Sequence, residues 1–442
     1  MGTENIETKQ PARRMRLALT AAAACAGVMA IAPAAHAETT LRVWTRSNVE
    51  ARATYDNLAA AFTKKTGIKV EYFNAMTDYE QRLSRAIAGN DLPDVIINDT
   101  SSLGLMVKSG VAQEIDRASL PGAAEIQDRA WDGARGYNGK YYGVPVSAQS
   151  FVFLIRKDWR EKLGLPVPKS WEDIAALAKA FTTQQPAGPG KQVYGFAFPG
   201  SATRGYTTWF MSSFLWQAGG DFIRPAAGGK YHGALDEPAA AKTVGYFRQM
   251  MCTDKVMQPG AINATTADAI ASFRSGQTGI FFTGPYHIAV ADQEPGRAKI
   301  EVIAAPPGPA GRADSLGEGE LAYVTRTANK QAALSFITFL ASGEGQRLGM
   351  NPGGFPVVRL PVNKTVNPGQ VYKDPRWVTV ETVYQKDAHY APAIPDWMSM
   401  RLLTAEGLNR ILANCSSDVD AGLKDLNKKV NQELARQRVL AN

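Results

Sequence analysis

The chain has 442 residues, a formal net charge of +8 and 45% hydrophobic residues. Basic and acidic residues are interspersed, with no Lys/Arg run, so the composition argues against a nucleic-acid partner. The length exceeds what one hydrophobic core usually serves, so two lobes are expected.

An export signal is predicted at the start of the chain, over residues 1–37. Its basic segment ends at Arg16, residues 17–32 are apolar, and Ala-His-Ala at 35–37 has the small-x-small pattern of a cleavage site. The apolar run is shorter than the ~20 residues that a membrane-spanning helix needs. The mature protein is therefore expected to be soluble, exported and periplasmic.

Strand and helix patterns alternate after this signal. Short apolar strands are predicted at 41–44, 68–73 and 93–98, and the helices between them end at Gly67 and near residue 88. Such alternation is typical of α/β architecture with a largely parallel sheet.

Polar residues follow the first and third of these strands, at Asn48 and Asp99. Open α/β sheets bind ligands at the edge where parallel strands end, so both residues are candidates for ligand binding. For Asp99 an alternative role is to cap the helix that follows it.

A passage between two halves is predicted in the middle of the chain. A strand at 144–147 ends in polar residues, and 151–155 is a continuous apolar run typical of a buried strand. The polar break between them indicates a crossing at 149–151. Ser170 and Asp173 then have the spacing of a capping box and predict the start of a helix.

The second half repeats the strand and helix pattern. Strands are predicted at 195–198 and 279–282, and a helix at 238–251 with proline near its start. The aromatic-rich segment 206–216 is interpreted as a core helix with one or two rings facing a cleft. Residues 225–233 are predicted to form a turn.

The last third of the chain is predicted to cross between the halves again. Residues 316–325 fit the second crossing, 333–340 form the apolar face of a helix, and 419–434 form one apolar stripe on the last helix. Two cysteines remain after cleavage, Cys252 and Cys415. They form either a disulfide or two buried thiols, because the sequence does not give the distance between them.

Several short motifs also occur in a characteristic order: LPDV at 92–95, YGVP at 142–145, SWED at 170–173, GGD at 219–221, TGPY at 283–286 and GGFP at 353–356. Together they resemble the extracellular solute-binding proteins of ABC importers, in the carbohydrate-binding, maltodextrin-binding-protein-like branch. The resemblance covers nearly all of the mature chain.

This resemblance implies a periplasmic binding protein-like type II fold, with two α/β lobes joined by a hinge and a ligand cleft between them. The N-terminal lobe is expected to comprise 38–148 and 307–350, and the C-terminal lobe 152–302 and 354–442. The expected hinge crossings are 149–151, 303–306 and 351–353.

Sugar recognition needs polar partners for hydroxyl groups and aromatic rings that stack on C–H faces. Gln149 and Glu318 lie at the two predicted crossings, and Tyr286 replaces the tryptophan of the family's Gly-Pro-Trp. Trp397 and Arg401 lie near where relatives place a tryptophan or arginine against the ligand. The full set of candidates is Asn48, Asp99, Gln149, Trp209, Tyr286, Glu318, Trp397 and Arg401.

The resemblance implies a monomeric periplasmic component of an ABC importer. It is expected to bind a sugar or oligosaccharide and to deliver it to permease subunits in the inner membrane. The sequence lacks the motifs of catalytic, nucleotide-binding and zinc sites, so no enzyme activity, cofactor or metal is expected.

Alternative functions remain open at this point. Arg46, Arg204 and Arg401 are compatible with a polyol, a glycerol phosphate or another anionic sugar derivative, since arginine matches anions with two hydrogen bonds. A periplasmic sugar-processing enzyme would need two carboxylates roughly 5 to 9.5 Å apart across the cleft. A sensor that presents its liganded form to a receptor would use the same fold.

Overall fold

The computed structural model describes residues 39–47, 49–75 and 78–442. The predicted signal at 1–37 and the candidate Asn48 lie outside the described residues. No helix in the described ranges is long and apolar enough to cross a membrane.

Strands and helices alternate through the first two thirds of the described chain. The strands are β1 Thr40–Arg46, β2 Lys69–Ala75, β3 Val95–Asp99, β4 Gly143–Ser150, β5 Val152–Arg156, β6 Tyr194–Ala197, β7 Ile223–Ala226, β8 Lys230–Gly233, β9 Thr278–Thr283, β10 Ile300–Ile303, β11 Ser315–Val324 and β12 Ala388–His389. The helices are α1 Arg52–Thr66, α2 Tyr79–Gly89, α3 Leu103–Lys108, α4 Asp128–Asp132, α5 Lys157–Lys162, α6 Trp171–Gln184, α7 Tyr206–Gln217, α8 Pro238–Arg248, α9 Thr266–Arg274, α10 Ile288–Ala291, α11 Lys330–Ala341, α12 Gly343–Met350, α13 Pro368–Tyr372, α14 Arg376–Asp387, α15 Trp397–Ala413 and α16 Val419–Arg436.

The first sheet has the order β12-β11-β3-β1-β2, with β4 paired to β11. Strand β1 runs parallel to β2 and β3, and β11 runs antiparallel to β3 and β4. The ends of β1 and β3 therefore meet at one edge, as the strand and helix pattern predicts. Arg46 and Asp99 are the last residues of these two strands.

The second sheet has the order β10-β5-β9-β6. Its strand β5 is the predicted apolar run, and all five of its residues are buried. The first sheet's β4 ends at Ser150 and β5 begins at Val152, so the chain passes between the sheets at Phe151. The mixed α/β architecture of periplasmic binding protein-like type II proteins is confirmed; the lobe and hinge boundaries stay a prediction.

The C-terminal third contributes β10 to the second sheet and β11 and β12 to the first. Strand β12 pairs with β11 of the first sheet, while α15 packs on α7 and α16 packs on β8. Segments within 354–442 thus contact both halves of the molecule. This brings α15 to the place where the two sheets approach each other.

Helix α6 begins and helix α1 ends where the capping residues in the sequence predict. The N–H of Asp173 donates to Ser170 Oγ at 3.1 Å and caps α6. Gly67 adopts a left-handed conformation with φ 76° after α1, which glycine tolerates without strain.

The prediction that all of residues 225–233 form a turn is wrong. Most of this segment belongs to a hairpin of strands β7 and β8. Ile223 pairs with Gly233, and the chain reverses at Gly228 and Gly229, both with positive φ. Two glycines in sequence permit such a tight reversal. The sequence pattern correctly predicted a chain reversal, but the predicted turn also included residues that lie in the two strands.

A disulfide joins Cys252 and Cys415, whose Cα atoms are 5.9 Å apart. This decides between the two alternatives that the sequence left open. The bond links the segment after α8 to the loop after α15, across a sequence separation of 163 residues.

Candidate functional site

A cleft of about 710 Å³, counted out to its open mouth, lies where α7, β11 and α15 meet. The polar and aromatic residues that line it include Ser101, Tyr137, Trp209, Trp216, Glu318, Tyr390, Trp397 and Arg401.

The structure brings four of the candidate residues to this cleft: Trp209, Glu318, Trp397 and Arg401. Three others, Asp99, Gln149 and Tyr286, are not among its lining residues. Asp99 and Tyr286 each contact an arginine that is not part of the cleft lining, and Gln149 is bonded to Glu318.

Glu318 is buried on β11 and bonded to a residue of the first predicted crossing. Gln149 Nε2 donates to Glu318 Oε2 at 2.8 Å, and both side chains are almost fully buried. Burial, assisted by the negative charge of Asp99, raises the pKa of Glu318 to about 8. Burial therefore favours the protonated form of this carboxyl.

Asp99 belongs to a charged group at the edge of the first sheet. Its carboxylate accepts from Arg46 Nη1 at 2.6 Å, and Arg46 Nε donates to Glu80 at 2.9 Å. Burial opposes the charge of Arg46, yet the two carboxylates outweigh it and raise its pKa. The alternative role of Asp99 as a helix cap is wrong, because its side chain makes no capping hydrogen bond.

Tyr286 lies beside a second ion pair. Arg359 Nη1 is 3.4 Å from Glu320 Oε1, and the Arg359 guanidinium lies 5.5 Å from the centre of the Tyr286 ring. Burial raises the pKa of Glu320 to about 7. The ring of Tyr286 is thus engaged by an arginine beside the cleft.

Arg401 and Trp209 form the aromatic and cationic wall of the cleft. The Arg401 guanidinium lies 5.1 Å from the centre of the Trp209 ring, and Tyr206 stacks parallel to Trp209 at 6.2 Å. Arg401 is only 3% exposed. Arg401 Nε and Trp209 Nε1 have no hydrogen-bond partner among the described residues.

Sequence reasoning missed part of this site. Ser101 lies two positions after the predicted edge residue Asp99, so the sheet-edge rule extended by two positions would have found it. Residues 390–394, a proline-containing loop before α15, line the cleft without any periodic pattern that announces them. Arg359 comes from a loop that no local motif connects to β11.

The unfolding free energy of the protein is expected to depend on pH through Glu318. Because burial raises the pKa of Glu318 in the folded state above its usual value, the stabilisation is complete at acidic pH and is lost as the pH rises through about 8. Between pH 5 and 8, the wild type should lose on the order of 2 kcal/mol more than Glu318→Gln in urea titrations. The exposed Glu406→Gln is the control, and equal pH slopes for wild type and Glu318→Gln would contradict the expectation.

Comparison with known proteins places this geometry in a family. The model of the family described as bacterial extracellular solute-binding protein matches residues 57–382. A protein of Brucella abortus whose name describes it as a binding protein is 24% identical over 80% of the chain and 83% of its own length. The fructooligosaccharide ABC transporter substrate-binding protein FusA of Streptococcus pneumoniae is 28% identical over 29% of the chain and 28% of its own length.

Solved structures share the fold at low sequence identity. A Thermotoga lettingae ABC transporter solute-binding protein with bound α-D-tagatose has a TM-score of 0.75 and 21% identity, over 90% of the chain and 100% of its own. Maltose-bound MalE3 of T. maritima has a TM-score of 0.74 and 18% identity over 89% and 100%. An Agrobacterium vitis solute-binding protein with bound D-mannitol has a TM-score of 0.72 and 21% identity over 90% and 99%.

Proposed function

Because the chain belongs to the family of bacterial extracellular solute-binding proteins, we propose that it is the binding component of an ABC importer for a sugar or polyol. The family consists of binding proteins, so the chain is not an enzyme. The proposed site is the cleft between α7, β11 and α15.

One observation carries this proposal: aromatic rings and unbonded polar groups line the same cleft. Trp209 and Trp397 offer ring surface, Ser101 Oγ and Trp209 Nε1 have no partner among the described residues, and Glu318 adds a carboxyl. A sugar or polyol supplies hydroxyl groups for the polar atoms and C–H surface for the rings. A purely apolar ligand would leave the buried polar atoms unbonded at a cost of about 1–3 kcal/mol each.

We also propose that the protein acts in the periplasm as a monomer. There it would deliver the solute to permease subunits in a membrane. The single residue between β4 and β5 supports a hinge at Phe151, since short connections between two sheets suit hinge bending. Closure about this hinge would exclude water and strengthen hydrogen bonds to the solute.

Thermal and urea unfolding against a panel of monosaccharides, oligosaccharides, polyols and sugar acids tests the proposed function. A ligand at a hundred times its Kd is expected to raise the unfolding free energy by about 2.7 kcal/mol. Bovine serum albumin with the same compounds controls for nonspecific effects of the solutes. The absence of a shift with every sugar, polyol and sugar acid would contradict the proposed function.

A further inference from the structure

We infer that the solute is a sugar acid, a monosaccharide or short oligosaccharide that carries a carboxylate, and that Arg401 binds this carboxylate. The inference rests on the proposed binding function and adds the chemical class of the ligand. It follows from how the positive charges in and beside the cleft are paired.

Arg401 differs from the two arginines beside the cleft. Arg46 lies 2.6 Å from Asp99, and Arg359 lies 3.4 Å from Glu320. Among the described residues, no carboxylate oxygen lies within 4 Å of an Arg401 nitrogen. Burial outweighs the charges of Glu318 and Asp99 and lowers the pKa of Arg401, whereas carboxylate neighbours outweigh burial and raise the pKa of the other two arginines.

Packing holds Arg401 in place without an ion pair. A Cβ on Gly205 would lie 2.6 Å from Arg401 Cγ, so the arginine stem rests directly against the Gly205 backbone. Arg401 Nη2 lies 3.1 Å from Met398 Sδ, and the guanidinium lies over Trp209. A donor fixed in this way loses little conformational entropy when it binds a ligand.

Two N–H groups at this wall of the cleft have no hydrogen-bond acceptor among the described residues. Arg401 Nε and Trp209 Nε1 both belong to residues that line the cleft, and neither has a partner among the described residues. A carboxylate has two oxygens that accept from two donors, and it also neutralises the buried charge. A hydroxyl group can also accept hydrogen bonds, but it carries no charge to compensate that of Arg401.

Glu318 and Asp99 act on Arg401 only through space, and neither forms an ion pair with it. Glu318 is bonded to Gln149, and burial raises the pKa of its carboxyl, which favours the neutral form. Asp132 also lines the cleft, but its side chain is exposed and lies 3.9 Å from Arg129 Nη1. A ligand carboxylate would therefore meet a net positive environment at Arg401.

Isothermal titration with matched pairs of sugars tests the inference on the full exported chain. The pairs are D-galacturonate with D-galactose and D-glucuronate with D-glucose, and glucose 6-phosphate is added as a different anion. At pH 7 and low salt, at least one acid is expected to bind about 10- to 100-fold tighter than its neutral partner, the range expected for a hydrogen-bonded charge. The affinity for the acid should fall with added salt, while that of its neutral partner should not.

Substitutions in α15 test whether Arg401 is the residue responsible for the preference for the acid. Arg401→Gln should lose the preference for the acid, Arg401→Lys should keep part of it, and the exposed Arg410→Gln on the same helix should leave it unchanged. If Arg401→Gln fails to fold, the pair ratio and the salt dependence of the wild type still decide the question.

Three outcomes overturn the inference. A neutral sugar that binds as tightly as its acid would reject the carboxylate but leave the proposed function intact. Tighter binding of glucose 6-phosphate than of either acid would assign the cleft to phosphate. No binding by any compound of the pairs would reject the sugar acid, and only the failure of the wider unfolding panel would reject the proposed function as well.

Discussion

Trp209→Ala is expected to weaken solute binding by about 30- to 100-fold, the loss typical when a central aromatic contact is removed. The indole lines the cleft, lies under the Arg401 guanidinium at 5.1 Å and carries an Nε1 donor without a partner among the described residues. Its removal takes away a stacking surface, a hydrogen-bond donor and the support of Arg401 together. Titration calorimetry with the solute identified by the unfolding panel measures the change.

Trp209→Phe is the matched control for this prediction. It keeps an aromatic face for stacking and for Arg401 but lacks the N–H, so its affinity should fall between those of wild type and Trp209→Ala. Urea unfolding of the unliganded variants separates a binding defect from a folding defect, because Trp209 also packs against Phe151 and Phe210. Unchanged affinity in Trp209→Ala would remove this cleft wall from the binding site.

Replacing Cys252 and Cys415 together with serine is expected to lower the unfolding free energy by about 2–5 kcal/mol. The disulfide closes a loop of 163 residues in sequence, and a long loop restricts the unfolded chain most strongly in the chain-entropy model. Neither cysteine lines the cleft, so solute affinity of the folded variant should stay within twofold of the wild type. Urea unfolding and calorimetry measure the two quantities.

The wild type under a reducing agent should reproduce the stability of the double variant, and the agent should have no further effect on that variant. Thiol titration of the unreduced, unfolded wild type checks the premise. Two free thiols there would show that the bond is absent and that the stability difference has another origin.

Local patterns in the sequence determine much of the secondary structure of this protein. Residues 152–155 of the predicted apolar run lie in β5, the Ser170 and Asp173 pair caps α6, and the edge rule correctly placed Asp99 where two parallel strands end. These features depend on neighbouring residues, through side-chain burial on a strand and hydrogen bonds within one helical turn. The order of short motifs added the family, which the family model confirms.

The sequence could not predict which charged residues in and beside the cleft form ion pairs. Arg46, Arg359 and Arg401 are equivalent letters in the sequence, and only the fold gives the first two carboxylate partners and leaves the third without one. The same applies to Tyr286, a candidate for sugar stacking whose ring instead contacts Arg359 from a distant loop.

By itself, then, the sequence determined the α/β elements, the family and the residue types available for binding. The tertiary structure decided which side chains share a cleft, which cysteines bond, and which buried arginine has no carboxylate partner within 4 Å among the described residues. The physical reason is distance along the chain. Strand and helix signals arise within a few residues, whereas side-chain hydrogen bonds, ion pairs and desolvation depend on groups far apart in sequence, such as Gln149 and Glu318.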